Sequence, residues 1–356
     1  MDRRPVGASL PPHRRRHRLA RREAIGEGIH IFQRRLRIFG FVAAIGFISL
    51  GVWQVTHAHH PRTLLVGVDD DTLKWTPFPL TVVRRQESVG ADAVRVWVPW
   101  RGEIAPTAVR RDELARAEIA ARKTTVVLAV FGFAAQTPTA AWQQTRFCGY
   151  ARAALSLVPN ARAVVVWNEA NSPMYWRGTP AQYESLLARC YGELHSKTVE
   201  VLDSTASAHN PLAFIGAVAT AYHDSGRKEP LVDAFGHNPY PETPTESPDV
   251  VHRGDFIGEA DYPRLVTALQ SFVRTPSIWY LEDGFQTTKM TPMQQARDVT
   301  AAVDLAACQP DVHAYFNFEL VDEHRVDGWH SGLIWRGGKL KPAAAAFASA
   351  PRRCRT

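Results

Sequence analysis

The chain has 356 residues, 45% of them hydrophobic and 22% charged, an ordinary globular composition long enough for one large domain or two small ones. Its formal charge of +7 sits at one end: residues 1–37 hold eleven Arg against Asp2, Glu23 and Glu27, a net of +8, which leaves −1 for all the rest. That distribution argues against a body built around a basic groove, and no nucleic-acid partner is expected.

The arm over residues 1–37 is rich in Arg and Pro and reads as a disordered cytoplasmic segment. Residues 38–55 then run without a charge; as a helix they would extend about 27 Å, close to the roughly 30 Å of a hydrocarbon core, and predict a single transmembrane signal-anchor. Cleavage there, giving a secreted protein, is the alternative. The arginines ahead of the span keep the arm in the cytoplasm and place everything after it outside the cell membrane. Residues 56–62, with "HAHH", read as a polar linker rather than a metal site.

From residue 63 onward short apolar runs alternate with longer segments of helical spacing. The predicted strands cover 63–71, 93–100, 124–133, 162–169, 212–220, 231–241, 277–284 and 312–323, and two of the intervening segments open with Thr-Pro, a cap followed by a first-turn proline. Eight βα units predict an α/β fold, a (β/α)₈ TIM barrel over residues 63–356. Only "AYHDSGRKEP" separates the fifth and sixth runs, so the fifth helix is expected to be short or missing. Cys148 and Cys190 fall in helices that neighbour each other on the outer ring, as do Cys308 and the segment holding Cys354, which predicts the disulfides Cys148–Cys190 and Cys308–Cys354 against the alternative of four buried thiols.

In such a barrel the catalytic groups stand at the C-terminal ends of the strands. Strand four ends in "WNEAN", with Asn168 and Glu169, and strand seven carries Glu282 in "WYLEDGFQT". Two glutamates on one rim suit glycosidic bond cleavage, where one carboxylic acid protonates the departing oxygen and a carboxylate attacks the anomeric carbon. Trp100, Tyr175, Trp176, Trp329 and Trp335 lie at or beyond strand ends and are candidates for stacking on sugar faces, with core packing the competing role. "DDD" at 69–71 suits sugar hydroxyls, a metal or a helix-capping loop. No GxSxG, HExxH, Walker or dinucleotide motif occurs.

Taken in order, "VRVWVPW", "WNEAN", "GHNPYP", "WYLEDGFQT" and the final "YFNFELVDEHRVDGWHSGLIWRGGKLKPAAAAF" make the chain resemble clan A glycoside hydrolases of the cellulase-like and xylosidase-like type, families 5 and 39. The resemblance runs from about residue 63 to 350. It implies a retaining glycosidase that cleaves a β-linked glycan or glycoside by double displacement, with Glu169 as acid/base and Glu282 as nucleophile. It implies that His237 and Tyr240 border the nucleophile, that Arg95 keeps it ionised, and that Asn168 reaches a sugar 2-hydroxyl. From their positions at or near strand ends, Trp100, Trp176, Asn317 and Trp329 complete the expected substrate-binding set. The implied protein needs no cofactor and works as a monomer on a polysaccharide or oligosaccharide. Three positions depart from the pattern: Ala170 where proline is common, Asp283 where an aromatic is usual, and Phe318 near the place of a strand-eight tryptophan. Alternation along the strand turns Asp283 toward the helix layer if Glu282 faces the site. Two other readings compete, a catalytically silent barrel that binds cell-envelope polysaccharide and a metal-dependent hydrolase built on Asp69, Asp71 and His237.

Overall fold

The computed structural model describes residues 63–325 and 328–355. The arm, the anchor segment and the linker at 1–62 lie outside the described residues. Among the described residues no helix is long and apolar enough to cross a membrane.

The chain begins with β1 (Leu65–Asp69), α1 (Thr72–Trp75), α2 (Pro79–Ser88), β2 (Ala93–Pro99), α3 (Ala108–Ala121), β3 (Thr125–Phe131), α4 (Ala141–Leu157) and β4 (Ala163–Val166). It continues through α5 (Pro180–Leu194), β5 (Glu200–Asp203), β6 (Ala206–Ser207), α6 (Pro211–Asp224), β7 (Phe235–Asn238), α7 (Tyr262–Leu269), β8 (Ile278–Asp283), α8 (Pro292–Cys308), β9 (Val312–Asn317) and α9 (Pro342–Ser349). All the strand pairs are parallel, in the order β5-β4-β3-β2-β1-β9-β8-β7-β6. The first and last strands are thus neighbours, with Leu65 opposite Ala314. At the other end Leu202 bridges to Ala234, and the Asp233 amide donates to the Val201 carbonyl at 2.7 Å. The sheet is therefore curled, with helices outside, in the manner of a TIM-like barrel. Covering both faces explains why the strands read as continuous apolar runs: Val126 to Val130 and Ala163 to Val166 are without measurable exposure.

Helix starts follow the Thr-Pro signals. The hydroxyl of Thr179 accepts from the Gln182 amide at 3.2 Å ahead of Pro180, and that of Thr291 accepts from the Gln294 amide at 3.2 Å ahead of Pro292.

The fifth unit corrects the reading from sequence. Residues 212–220 are not a strand but the body of α6, a helix of 14 residues, so the fifth helix is neither short nor missing. The run's apolar composition suits either state, and the helical period decides: Ile215, Val218 and Ala219 are the buried positions, behind Pro211 in the first turn. The fifth strand lies earlier, in "EVLDSTAS", split into β5 and β6 around Ser204 and Thr205. It escaped notice because Val199, Val201 and Leu202 extend the apolar spacing of α5, which ends at Leu194.

Both expected disulfides are present. Cys148–Cys190 joins α4 to α5 with Cα atoms 5.0 Å apart, and Cys308–Cys354 ties the end of α8 to the chain after α9 at 4.4 Å. Each closes a loop of more than 40 residues, and loss of either should lower stability by about 2–4 kcal/mol. Urea unfolding with and without reductant, with non-reduced peptide mapping to identify the pairs, measures this; four free thiols would contradict it.

Candidate active site

At the C-terminal ends of the strands the protein opens a cleft of about 980 Å³, lined by Glu169 and Glu282 among others. How Glu169 arrives there is set locally. After β4 the backbone passes through the left-handed region twice at residues that are not glycine, Trp167 at φ 71° and Glu169 at φ 38°. Each such residue costs on the order of 1–3 kcal/mol, a kind of strain that gathers at functional sites. The path is held by Trp167, whose amide donates to the Val130 carbonyl at 3.0 Å and whose indole donates to the Tyr175 carbonyl at 3.0 Å. From the fifth strand, the Ser204 hydroxyl accepts the Glu169 amide at 3.3 Å and the Ser204 carbonyl accepts the Ala170 amide at 3.1 Å.

Glu282 sits on β8 between two donors. Arg95 Nη1 lies 2.9 Å from its Oε1, and the Tyr240 hydroxyl donates to its Oε2 at 3.2 Å. Arg95 is itself buried, at 4% exposure, and is fixed by Asp69 Oδ1 at 2.6 Å and by the Asn168 side-chain oxygen at 3.2 Å. Strands one, two, four and eight of the sheet's sequence order therefore share one guanidinium. Glu169 has different surroundings. Its Oε1 accepts from the Asn238 side chain at 2.9 Å, while burial, followed by the negative charge of Glu282, pushes its carboxyl up to about 7.

Arg95, Asn168, Tyr240 and Trp329 join the two glutamates in the cleft wall, as does Tyr175. Five other expected site residues do not. Trp100 is a core residue: its ring packs edge-on against Phe147 and Trp167, and its indole donates to the Glu103 carbonyl. Trp176 is likewise buried, between Trp167 and Tyr183. His237 braces the scaffold, with one ring nitrogen 3.0 Å from the Ala206 carbonyl and the other 3.0 Å from the Ile257 carbonyl, and burial lowers its pKa to about 4. The Asn317 amide donates to the carbonyls of Glu319 and Ser331 and so shapes the chain leaving β9. Trp335 lies under the Lys341 ammonium, away from the cleft lining.

Strand parity explains several of these misses. Successive side chains face opposite sides, so Arg95 shares its side with Trp97, not with Trp100, and Tyr240 shares its side with Asn238, not with His237. Trp97 and Asn238 are the residues that serve the site: Trp97 stacks on Phe131 at 5.2 Å between centroids and, with Phe133 and Tyr175, forms an aromatic wall of the cleft. Asp283 turns the other way, where its carboxyl accepts from Tyr315 at 2.9 Å and burial pushes it up to about 7. Asp69, Asp71 and His237 do not form a metal group: Asp69 pairs with Arg95, Asp71 with Lys74 at 2.9 Å, and His237 with backbone carbonyls. Among the described residues the one group with ligand spacing is Glu242, Glu246 and His252, in the long loop after β7. There His252 is sandwiched between Asp261 and Glu246, at 2.7 Å from each, and pins the loop to the start of α7.

No family model matches the chain, and no curated protein matches it. Solved structures do. It is similar to a family 39 glycoside hydrolase from the gut symbiont Bacteroides cellulosilyticus WH2, at 17% identity and a TM-score of 0.62 over 81% of this chain and 64% of that one. It is similar to GH5_18 from Streptomyces cattleya in complex with GlcNAc, at 19% identity and a TM-score of 0.61 over 82% of this chain and 80% of that one. A third is an exo-β-1,4-mannosidase from Opitutaceae bacterium strain TAV5, at 16% identity and a TM-score of 0.57 over 81% and 59%. The chain spans less than two thirds of the length of the first and third. It has the fold of the clan A glycoside hydrolases.

Proposed function

We propose that this protein is a retaining glycoside hydrolase acting on a β-linked glycan or glycoside. The observation that supports it best is the contrast between two carboxyls in one cleft: Glu282 held by Arg95 and Tyr240, and Glu169 buried and raised to about 7. A Glu282 oxygen attacks the anomeric carbon as the bond to the leaving oxygen breaks, and Glu169 gives that oxygen its proton. Glu169 then takes a proton from water, whose oxygen displaces Glu282 and restores the starting configuration. No cofactor enters these steps. A panel of aryl glycosides and envelope polysaccharides tests the reading, with NMR of the first anomer released; turnover that inverts configuration, or none on any member, would overturn it.

Because Glu169 must start protonated, activity is present below its pKa and lost as pH rises through it. With that pKa at about 7, kcat/KM should fall about tenfold per pH unit well above 7. A Glu169→Gln variant assayed on an activated aryl glycoside should show no such alkaline limb.

The same reading includes membrane anchoring by residues 38–55, with the barrel outside the cell. It is supported by the uncharged run behind an Arg-rich arm and by the two disulfides, which belong to an oxidising compartment.

A further inference from the structure

The charge of the cleft is out of proportion to that of the chain. Beyond the arm the sequence carries a net of −1, yet nine acidic residues line the cleft against Arg95 and Arg325. Glu169 and Glu282 belong to the chemistry, and Arg95 is engaged by Asp69 and Glu282. Some of the others are structural pairs, Asp71 with Lys74 and Asp322 with Lys341 at 2.7 Å.

Asp69, Asp70 and Glu319 are different. They come together because β1 and β9 are adjacent, and all three line the cleft. Asp69 spends Oδ1 on Arg95, and Asp70 spends Oδ1 on the amide and hydroxyl of Thr72, at 2.8 and 2.6 Å. Asp69 Oδ2, Asp70 Oδ2 and Glu319 Oε1 are buried with no hydrogen-bond partner in the protein, and Asp69 and Asp70 are only 8% and 7% exposed. Open acceptors of this kind are destabilising unless something completes them. Burial, followed by the charges of Glu323, Asp70 and Asp69, pushes Glu319 up to about 9, so below that pH its carboxyl keeps a proton unless a cation arrives to take the proton's place. The three carboxyls do not all come within ligand distance of one another, as Glu242, Glu246 and His252 do. An ammonium asks for only two of them, since it is compact, carries one positive charge and can give its remaining donor to water or to the sugar.

We infer that the cleft takes a glycan bearing free amino groups, a hexosamine lacking its N-acetyl, with the ammonium received by Asp70 and Glu319 and the sugar face against the Trp97 side of the cleft. The inference rests on the glycosidase reading for the ligand being a sugar. The test is calorimetric titration of the full-length Glu169→Gln protein at about pH 7, where Asp70 is ionised and binding of a cation should release the Glu319 proton, with the methyl β-glycosides of glucosamine, galactosamine and mannosamine, each paired with its N-acetyl form. At least one amine should bind about tenfold more tightly than its N-acetyl partner, the gain of one charge-assisted hydrogen bond, and the preference should fall with added salt. Adding Asp70→Asn or Glu319→Gln singly should reduce it, and adding both should abolish it, with melting temperatures confirming that each variant is folded. Amines binding no better than their N-acetyl partners, or a preference untouched by both substitutions, would overturn the inference. Wild-type hydrolysis is scored separately: an amine preference without turnover removes the hydrolase reading and keeps the ligand, whereas turnover without an amine preference removes the ligand alone.

Discussion

Glu282→Ala should reduce turnover by about 10⁴- to 10⁶-fold, the range seen when a covalent nucleophile is removed, while leaving the melting temperature within a few degrees of wild type. Glu169→Gln should cost less, about 10²- to 10⁴-fold, and the loss should depend on the leaving group. An aryl group that departs without a proton still loads Glu282, so the second step becomes limiting and a covalent glycosyl-enzyme accumulates, visible by intact mass. External azide should then restore turnover in Glu169→Gln with a β-glycosyl azide as product, because a small anion needs no base. In Glu282→Ala the same anion should give the α-azide, having entered from the nucleophile's side. Full activity in either variant, or matching anomers from the two, would end the assignment.

Arg95→Met is the second substitution with a large expected effect, and it acts on stability as well as rate. Arg95 is buried and pairs with Asp69 and Glu282 together. Removing it strands two carboxylates without a cation, and breaking one partner out of a buried ion pair typically costs about 3–5 kcal/mol. Denaturant unfolding should show a loss of that size at neutral pH, shrinking as the pH falls and the stranded carboxylates take up protons. Asp69→Asn, which keeps Arg95 and Glu282 together, should be much milder. A loss in Arg95→Met that does not change with pH would mean that packing, not charge, is what Arg95 provides.

These variants also mark what could be read from the sequence. The arrival of Glu169 and Glu282 in one cleft was legible because each closes an apolar run, and strand ends are where a barrel presents its chemistry. Arg95 and Tyr240 followed from their motifs. Proximity along the chain misled where parity should have ruled, since Trp100 and His237 lie close to functional residues in sequence but on the other side of the strand. The fifth unit failed for a different reason. A helix and a buried strand with the same apolar content differ only in period, and residues 212–220 are too short a run to display it. The meeting of Asp69 and Asp70 with Glu319 was beyond any local reading, because about 250 residues separate them and only closure between β1 and β9 makes them neighbours.

The seam near Ser204 has a consequence for how such an enzyme fails. Glu282 rides on β8, which pairs with β7 at three positions and with β9 at four, the β9 register shifting between Tyr280 and Asp283. β4 is laddered to β3 and to β5 at four positions each, but the turn after it that carries Glu169 leans on the hydroxyl and carbonyl of Ser204, at a seam closed by a two-residue strand and a single bridge from Leu202 to Ala234. Cooperative units with fewer backbone rungs open first, well below the global transition. As the protein warms, proton donation should therefore blur while the nucleophile is still in register, and the range of usable substrates should narrow toward those that leave unaided. On the proposed reading, heat would change what the cleft can cleave before it destroyed the cleft.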